Sequence, residues 1–338
     1  MSDTTLNATE SGMLADIRLH DIVVGVDGSD ESFAALRWAL NEASLTGQQV
    51  NAVFAWSHSW DMGSEPEDEE QWAEVRHEIA QRLRDWVSKA SQGMTINEDH
   101  VKLTSVKATG TSALLEIGKD AQQIVVGRRS LGRVARWFLG SLSESLAEAA
   151  QVPVTIVRIL DDEESSVQDA IANALTPSEN TVTYDLPGSP LPKNQRPIVV
   201  GVDGSETSRH ALRFAIDLAA LHHAPLQVMF CWQLKDLGVI EGYENAIAPI
   251  AVGQERAERI LDELLDSVEI PTAGIPDDFQ IESHAFHISA AKGLIAASRY
   301  ARHLVVGSRG LSGLDAHFLG SVSKQIVNFA DCTDTVVH

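Results

Sequence analysis

Short apolar runs alternate along this chain with longer stretches in which apolar residues recur every three or four positions. Ile22-Val23-Val24-Gly25 breaks into Asp27-Gly28-Ser29, and Leu36, Ala39 and Leu40 then carry helical spacing through residues 32–43. Residues 50–56 have the alternation and aromatic content of a strand. Trp72, Val75, Ile79, Leu83, Trp86 and Ala90 form one stripe of a long amphipathic helix over 71–91. Residues 102–106, 124–126 and 152–159 complete five predicted strands, with helices at 112–120 and 141–150 between them. Strands that alternate with helices predict a parallel sheet covered on both faces.

From Leu160 to Arg196 the periodicity lapses into turn chemistry, with one short helical pattern over 167–175. The first strand then returns: IVVGVDGSETSRHALRFAI, starting at Ile198, matches IVVGVDGSDESFAALRWAL, starting at Ile22, at thirteen of nineteen positions. The chain is an internal duplication. The second copy predicts strands at 226–232, 279–284, 304–306 and 335–337, and helices at 253–267, 290–300 and 322–330. The expected organisation is a polar tail over 1–19, a first domain over 20–160, a linker over 161–195 and a second domain over 196–338. Asp334 stands where the first copy has Val154, so the last strand is expected to be weaker than its counterpart.

With 338 residues, 44% of them hydrophobic, the chain can bury a core in each half. It has no run of eighteen apolar residues, and its first residues lack the basic and apolar blocks of a signal peptide, so a cytoplasmic location is expected. The formal charge of −22 argues against nucleic acid or an anionic membrane as a partner. Any polyanionic ligand must bind in a local pocket lined by backbone, against the global field. Two cysteines, Cys231 and Cys332, offer no disulfide framework.

The densest chemistry lies where Leu304-Val305-Val306 runs into Gly307, Gly310 and then Gly320-Ser321-Val322-Ser323. A helix that starts after a glycine loop presents unpaired N–H groups and the positive end of its dipole to an anion. The glycines are expected to allow close backbone approach and positive φ. The first copy repeats the frame at Gly127, Gly140, Ser141, Leu142 and Ser143, offset by 180 residues, except that Ser130 stands where Gly310 does. A left-handed Ser costs about 1–2 kcal/mol, so the second site is expected to be the better one.

Ser141 and Glu144 have capping-box spacing. Lys324 opposes the dipole at the corresponding place, an opposition that a bound anion would relieve. Arg128, Arg129, Arg133 and Arg136 form a basic cluster that fits either phosphate contact or a solvated face. Asp27 and Asp203 fit turn chemistry or contact with a nucleotide or Mg2+. Trp56 and Trp232 fit a base pocket or sheet-edge packing. His284 and His287 have HxxH spacing, by itself a weak metal signal. There is no P-loop and no recognisable nucleophilic triad.

A strand ending in VDGS, together with G-x-x-G-x9-G-[ST] after a late strand, resembles the universal stress protein family, and the duplication resembles a tandem member. The resemblance implies an α/β fold: two tandem five-stranded, mostly parallel sheets with helices on both faces, Rossmann-like and similar to the adenine nucleotide alpha hydrolases. It implies ATP, with or without Mg2+, held between the end of the first strand and the glycine loop. In the second half, Asp203, Cys231 and Trp232 would face adenosine, and Gly307, Gly310, Gly320, Ser321, Val322 and Ser323 would hold ribose and phosphates. The matching positions of the first half are Asp27, Ala55, Trp56, Gly127, Ser130, Gly140, Ser141 and Leu142. The resemblance also implies pairing through the last strand of each sheet, here within one chain, with homodimers and an unidentified protein partner left open. A nucleotide-responsive regulatory module follows, since no general base is recognisable. The alternatives are a slow Mg-dependent ATP hydrolase and a nucleotide-free scaffold.

Overall fold

Each half opens with the same turn. Asp27 Oδ1 accepts from the Ser29 N–H and hydroxyl, Gly28 takes φ of 87°, and Ser29 caps the next helix by accepting from the Ser32 N–H. Asp203, Gly204 (φ 85°) and Ser205 repeat this, with Ser205 capping through the Ser208 N–H. A β-strand thus turns into a helix across three or four residues, using an Asx turn, a left-handed glycine and an N-cap.

The computed structural model describes residues 20–56, 68–96, 98–128, 141–159, 196–269, 276, 279–310 and 319–338. The first half contains β1 (Ile22–Gly25), α1 (Asp30–Thr46), β2 (Val50–Trp56), α2 (Glu69–Ala90), β3 (Val101–Lys107), α3 (Gly110–Ile117), β4 (Gln123–Arg128), α4 (Ser141–Ala149) and β5 (Val154–Arg158). The second contains β6 (Ile198–Val202), α5 (Glu206–Leu221), β7 (Leu226–Cys231), α6 (Ile250–Asp266), β8 (Ile281–Phe286), α7 (Ala290–Ala297), β9 (His303–Gly307), α8 (Ser321–Phe329) and β10 (Thr333–Val337). The predicted alternation is present in both. The predicted bounds shift by up to three residues, as at α3, predicted over 112–120, and β8 as a whole lies two residues beyond the predicted 279–284. The short helix read over 167–175 lies outside the described residues.

Within each half all strand pairs are parallel. The halves then join: β5 and β10 pair antiparallel, with Thr155 opposite Thr335, giving one ten-stranded sheet in the order β3-β2-β1-β4-β5-β10-β9-β6-β7-β8. The expectation of a weak last strand is therefore corrected. β10 lies inside the sheet, and Asp334, fully buried, accepts from Arg158 Nε at 3.0 Å and Nη2 at 2.8 Å. Burial raises the Asp334 carboxyl above its usual range, opposed by Arg158 and Arg128.

One face of the sheet is a single apolar core shared by both halves, in which Leu114, Leu146, Leu294 and Ile326 from α3, α4, α7 and α8 cover Val126, Ile156, Val306 and Val336. The other face has two cores, one under α1 and α2 and one under α5 and α6. Between them runs a polar seam. Thr155 Oγ1 donates to Gln123 Oε1 at 2.7 Å, so Thr335 must donate to Thr155 (2.8 Å) and His303 Nε2 to Thr335 (2.7 Å). Beside it, Arg302 Nη2 lies 2.8 Å from His222 Nδ1, whose Nε2 lies 2.7 Å from Glu42 of α1.

Burial, with the charges of His222 and Arg302, holds His303 down to about 3. The unfolded imidazole titrates near 6.5, so between those values the folded state binds fewer protons. Stability attributable to His303 is full above about pH 6.5 and falls toward pH 3, by at most about 1.4 kcal/mol per pH unit. His338, held to about 4 by burial and Arg309, adds a second such loss. His303→Gln, which installs the residue of the first half, is expected to reduce but not abolish the fall in melting midpoint between pH 7 and 5. An unaltered slope in that variant would show that His303 does not carry it.

Candidate functional site

In each half, chain order along the sheet reverses between the first and fourth strands, β1 beside β4 and β6 beside β9. Ligands on such sheets bind in the crevice at the carboxyl ends of those strands. Because β5 and β10 run antiparallel, the two crevices open on opposite rims of the sheet.

In the second half Asp203 leaves β6, Gly307 ends β9, and Gly320 begins α8, so the three predicted segments meet at one rim. Thr207, on the first turn of α5, donates to the Arg309 carbonyl at 2.6 Å, and the Gly320 N–H donates to the Ser308 carbonyl at 2.8 Å. These two bonds tie the loop leaving β9 to α5 on one side and to α8 on the other. Gly320 has no side chain to cap α8, so the backbone N–H groups of its first turn have no N-cap side-chain acceptor. Ser308 Oγ and His338 Nε2, at the ends of neighbouring strands, are buried without hydrogen-bond partners among the described residues.

The glycines are needed for space rather than for φ, which corrects the expectation. Gly307, Gly310 and Gly320 are absent from the positive-φ positions. A Cβ at Gly310 would collide with Asp203 Oδ2, and one at Gly307 would sit 3.0 Å from the Thr207 backbone. At Gly127 a Cβ would overlap the backbone of Glu31, the residue matching Thr207. The left-handed strain expected for Ser130 therefore has no counterpart at Gly310. Ser130 and Gly140 themselves lie outside the described residues, as do Arg129, Arg133 and Arg136.

Other predicted residues are placed differently from one another. Ser323 is buried and spends its hydroxyl on the Gly307 carbonyl at 2.6 Å. Ser321 and Val322 form the exposed and half-buried start of α8, and Ser141 begins α4. Trp232 is fully buried: its indole N–H donates to Gln254, and its ring lies 4.5 Å from that of His287. Its backbone N–H, just past the end of β7, donates to the Phe286 carbonyl at 2.9 Å. Trp56 packs against Trp72, with ring centroids 6.0 Å apart. Cys231 lies against Gly293, and burial pushes its thiol up to about 12. Ala55 is half-buried and Leu142 exposed beside Gly110. Asp27 is exposed and committed to its turn.

Two electrostatic readings change. Lys324 Nζ pairs with Glu144 of α4 at 2.5 Å, which lowers the Glu144 carboxyl and raises the lysine. Its position near the start of α8 is thus offset by a carboxylate and needs no bound anion. Arg128 is buried and donates to the Val327 carbonyl and the Asn328 side chain, at the end of α8 where a cation suits the dipole. It is neither a phosphate ligand of its own half nor part of a solvated face. Among the described residues, no group of three or more His, Cys, Asp or Glu is arranged to hold a metal. Thr207 and Ser308 escaped the sequence reading. Aligning the repeats would have flagged Thr207 opposite Glu31.

The profile of the Universal stress protein family matches residues 19–158 and 195–338. The chain belongs to this family. A universal stress protein of Mycolicibacterium smegmatis is 29% identical over 94% of this chain and 97% of its own length. One from Mycobacterium tuberculosis is 28% identical over 92% of this chain and 94% of its own. The crystal structure of a universal stress protein from Archaeoglobus fulgidus shares the fold, with a TM-score of 0.58 at 15% identity over 95% of this chain and 99% of that one.

In this universal stress protein, Gly127→Ala is expected to destabilise by at least about 1–3 kcal/mol and Gly307→Ala by less. Rigid backbone fills the space at Gly127, whereas part of the wall at Gly307 is the Thr207 side chain. Urea midpoints check the ranking, and equal midpoints would contradict it.

Proposed function

We propose that this universal stress protein binds ATP at the rim of its second half and acts as a nucleotide-responsive regulatory module of the cytoplasmic stress response. In this reading the repeats, residues 20–160 and 196–338, act as two domains. The supporting observation is the convergence of Asp203, the Gly307–Gly310 loop and the uncapped start of α8 on one crevice. Nucleotide phosphates would take the N–H groups of Ser321 and Val322, which suit an anion despite the chain's net charge. Asp203 would supply polar contact for the nucleoside beside the Cys231-Trp232 backbone. Gly310 keeps that carboxylate in place, because any larger residue displaces it.

ATP is proposed to be held rather than cleaved. Asp203 Oδ1 is already engaged by the Ser205 N–H at 2.9 Å, which suits positioning more than proton transfer. The first half repeats the VDGS turn and Gly127, and is proposed as a second site through Asp27, Ala55, Trp56, Ser130, Gly140, Ser141 and Leu142.

Mass spectrometry of the protein as purified, with calorimetric titration of ATP and Mg2+, tests this reading. Binding is expected to weaken about tenfold or more in Asp203→Ala and Gly310→Ala, since a hydrogen bond to a charged group is worth about 1.5–3 kcal/mol. Recovered nucleotide should remain ATP. Turnover that disappears in Asp203→Ala would favour the hydrolase, and no binding at millimolar ATP would favour the scaffold.

A further inference from the structure

The 180-residue offset that relates the halves places Glu144 of α4 and Lys324 of α8 at equivalent positions. A pseudo-twofold axis through the Thr155–Thr335 pair brings them together across the junction, 2.5 Å apart, with Asn328 adding a contact to Glu144 at 3.3 Å. Asp334 occupies the position of Val154, and Arg158 that of His338. The buried Arg158–Asp334 pair is consequently made once, where a symmetric junction would make it twice or not at all.

We propose that these substitutions make each junction edge complementary to the opposite half and unfit to pair with its own kind. The partner of the β5 edge is then the β10 edge of this chain. Two first halves pairing through β5 would bring Glu144 against Glu144 and leave each Arg158 facing Val154. Two second halves pairing through β10 would bring Lys324 against Lys324 and leave each buried Asp334 facing His338. Arg128 does not decide the matter, because Glu148 stands in the first half where Asn328 stands in the second. The discrimination rests on like charges at the helix pair and on a buried ion without its counter-ion, the costlier of the two.

The same surface chemistry predicts when two chains exchange halves. Glu144→Lys and Lys324→Glu are made singly and together in the full chain; both side chains are partly exposed, so the substitutions are compatible with folding. Each single reversal is expected to lower the melting midpoint by about 2–4 °C, and the double reversal to recover most of the loss. The single variants are then mixed in equal amounts, unfolded and refolded together at about 50 µM. Complementary charges now meet only between chains, a preference of about tenfold per junction that offsets a millimolar effective concentration within one chain. Light scattering is expected to show a species of twice the chain mass in the mixture, beyond any in either variant or the parent protein treated alike. Single reversals that leave the midpoint unchanged, or a mixture with no added two-chain species, would overturn the proposal.

Discussion

The antiparallel contact between β5 and β10 governs the rest of this architecture. Both strands are buried along nearly all their length, so either one left at an edge would present a row of unpaired backbone groups on an apolar strip. Joining them moves the true edges out to β3 and β8, which are more exposed and carry Lys102, Lys107, Glu282 and His284. Charged edges resist further strand addition, whereas the interior strands need not.

The join has different consequences on the two faces of the sheet. On one face α4 and α8 pack over a continuous apolar core, and Arg128 and Arg158 reach across to the last carbonyls of α8. On the other, His303, Thr335, Thr155 and Gln123 form a hydrogen-bonded line whose donors all point from the second half toward the first. Burying that line is tolerable because every hydroxyl in it both gives and receives. The antiparallel junction also sends the two crevices to opposite rims, so nucleotides bound at both would not share a pocket.

Duplication made the halves equivalent in plan, and at the junction they differ in residues that meet across it. His303 stands where the first half has Gln123, Lys324 where it has Glu144, and Asp334, held by Arg158, where it has Val154. Away from the junction the repeats keep their geometry, as the matching φ values of Gly28 and Gly204 show. The glycine loop differs in kind: Gly307 and Gly310 serve close packing against Thr207 and Asp203, so their requirement is set by neighbours distant in sequence.

Sequence by itself determined the repeat, the alternation of strands and helices, and the VDGS turn. Each of these follows from local periodicity or from the φ and hydrogen-bonding preferences of adjacent residues. It also brought the Asp203, Gly307 and Gly320 segments into one candidate site, because parallel α/β topology places strand ends together. Only the tertiary structure decided that the expected last-strand pairing is antiparallel and makes one ten-stranded sheet, that Asp334 meets Arg158 across the junction, that Arg128 and Lys324 contact the opposite half, and that the loop glycines make room rather than turns. Those outcomes depend on contacts between residues roughly 100 to 200 positions apart, and the energy of a buried charge or a missing Cβ is fixed by what the fold sets beside it.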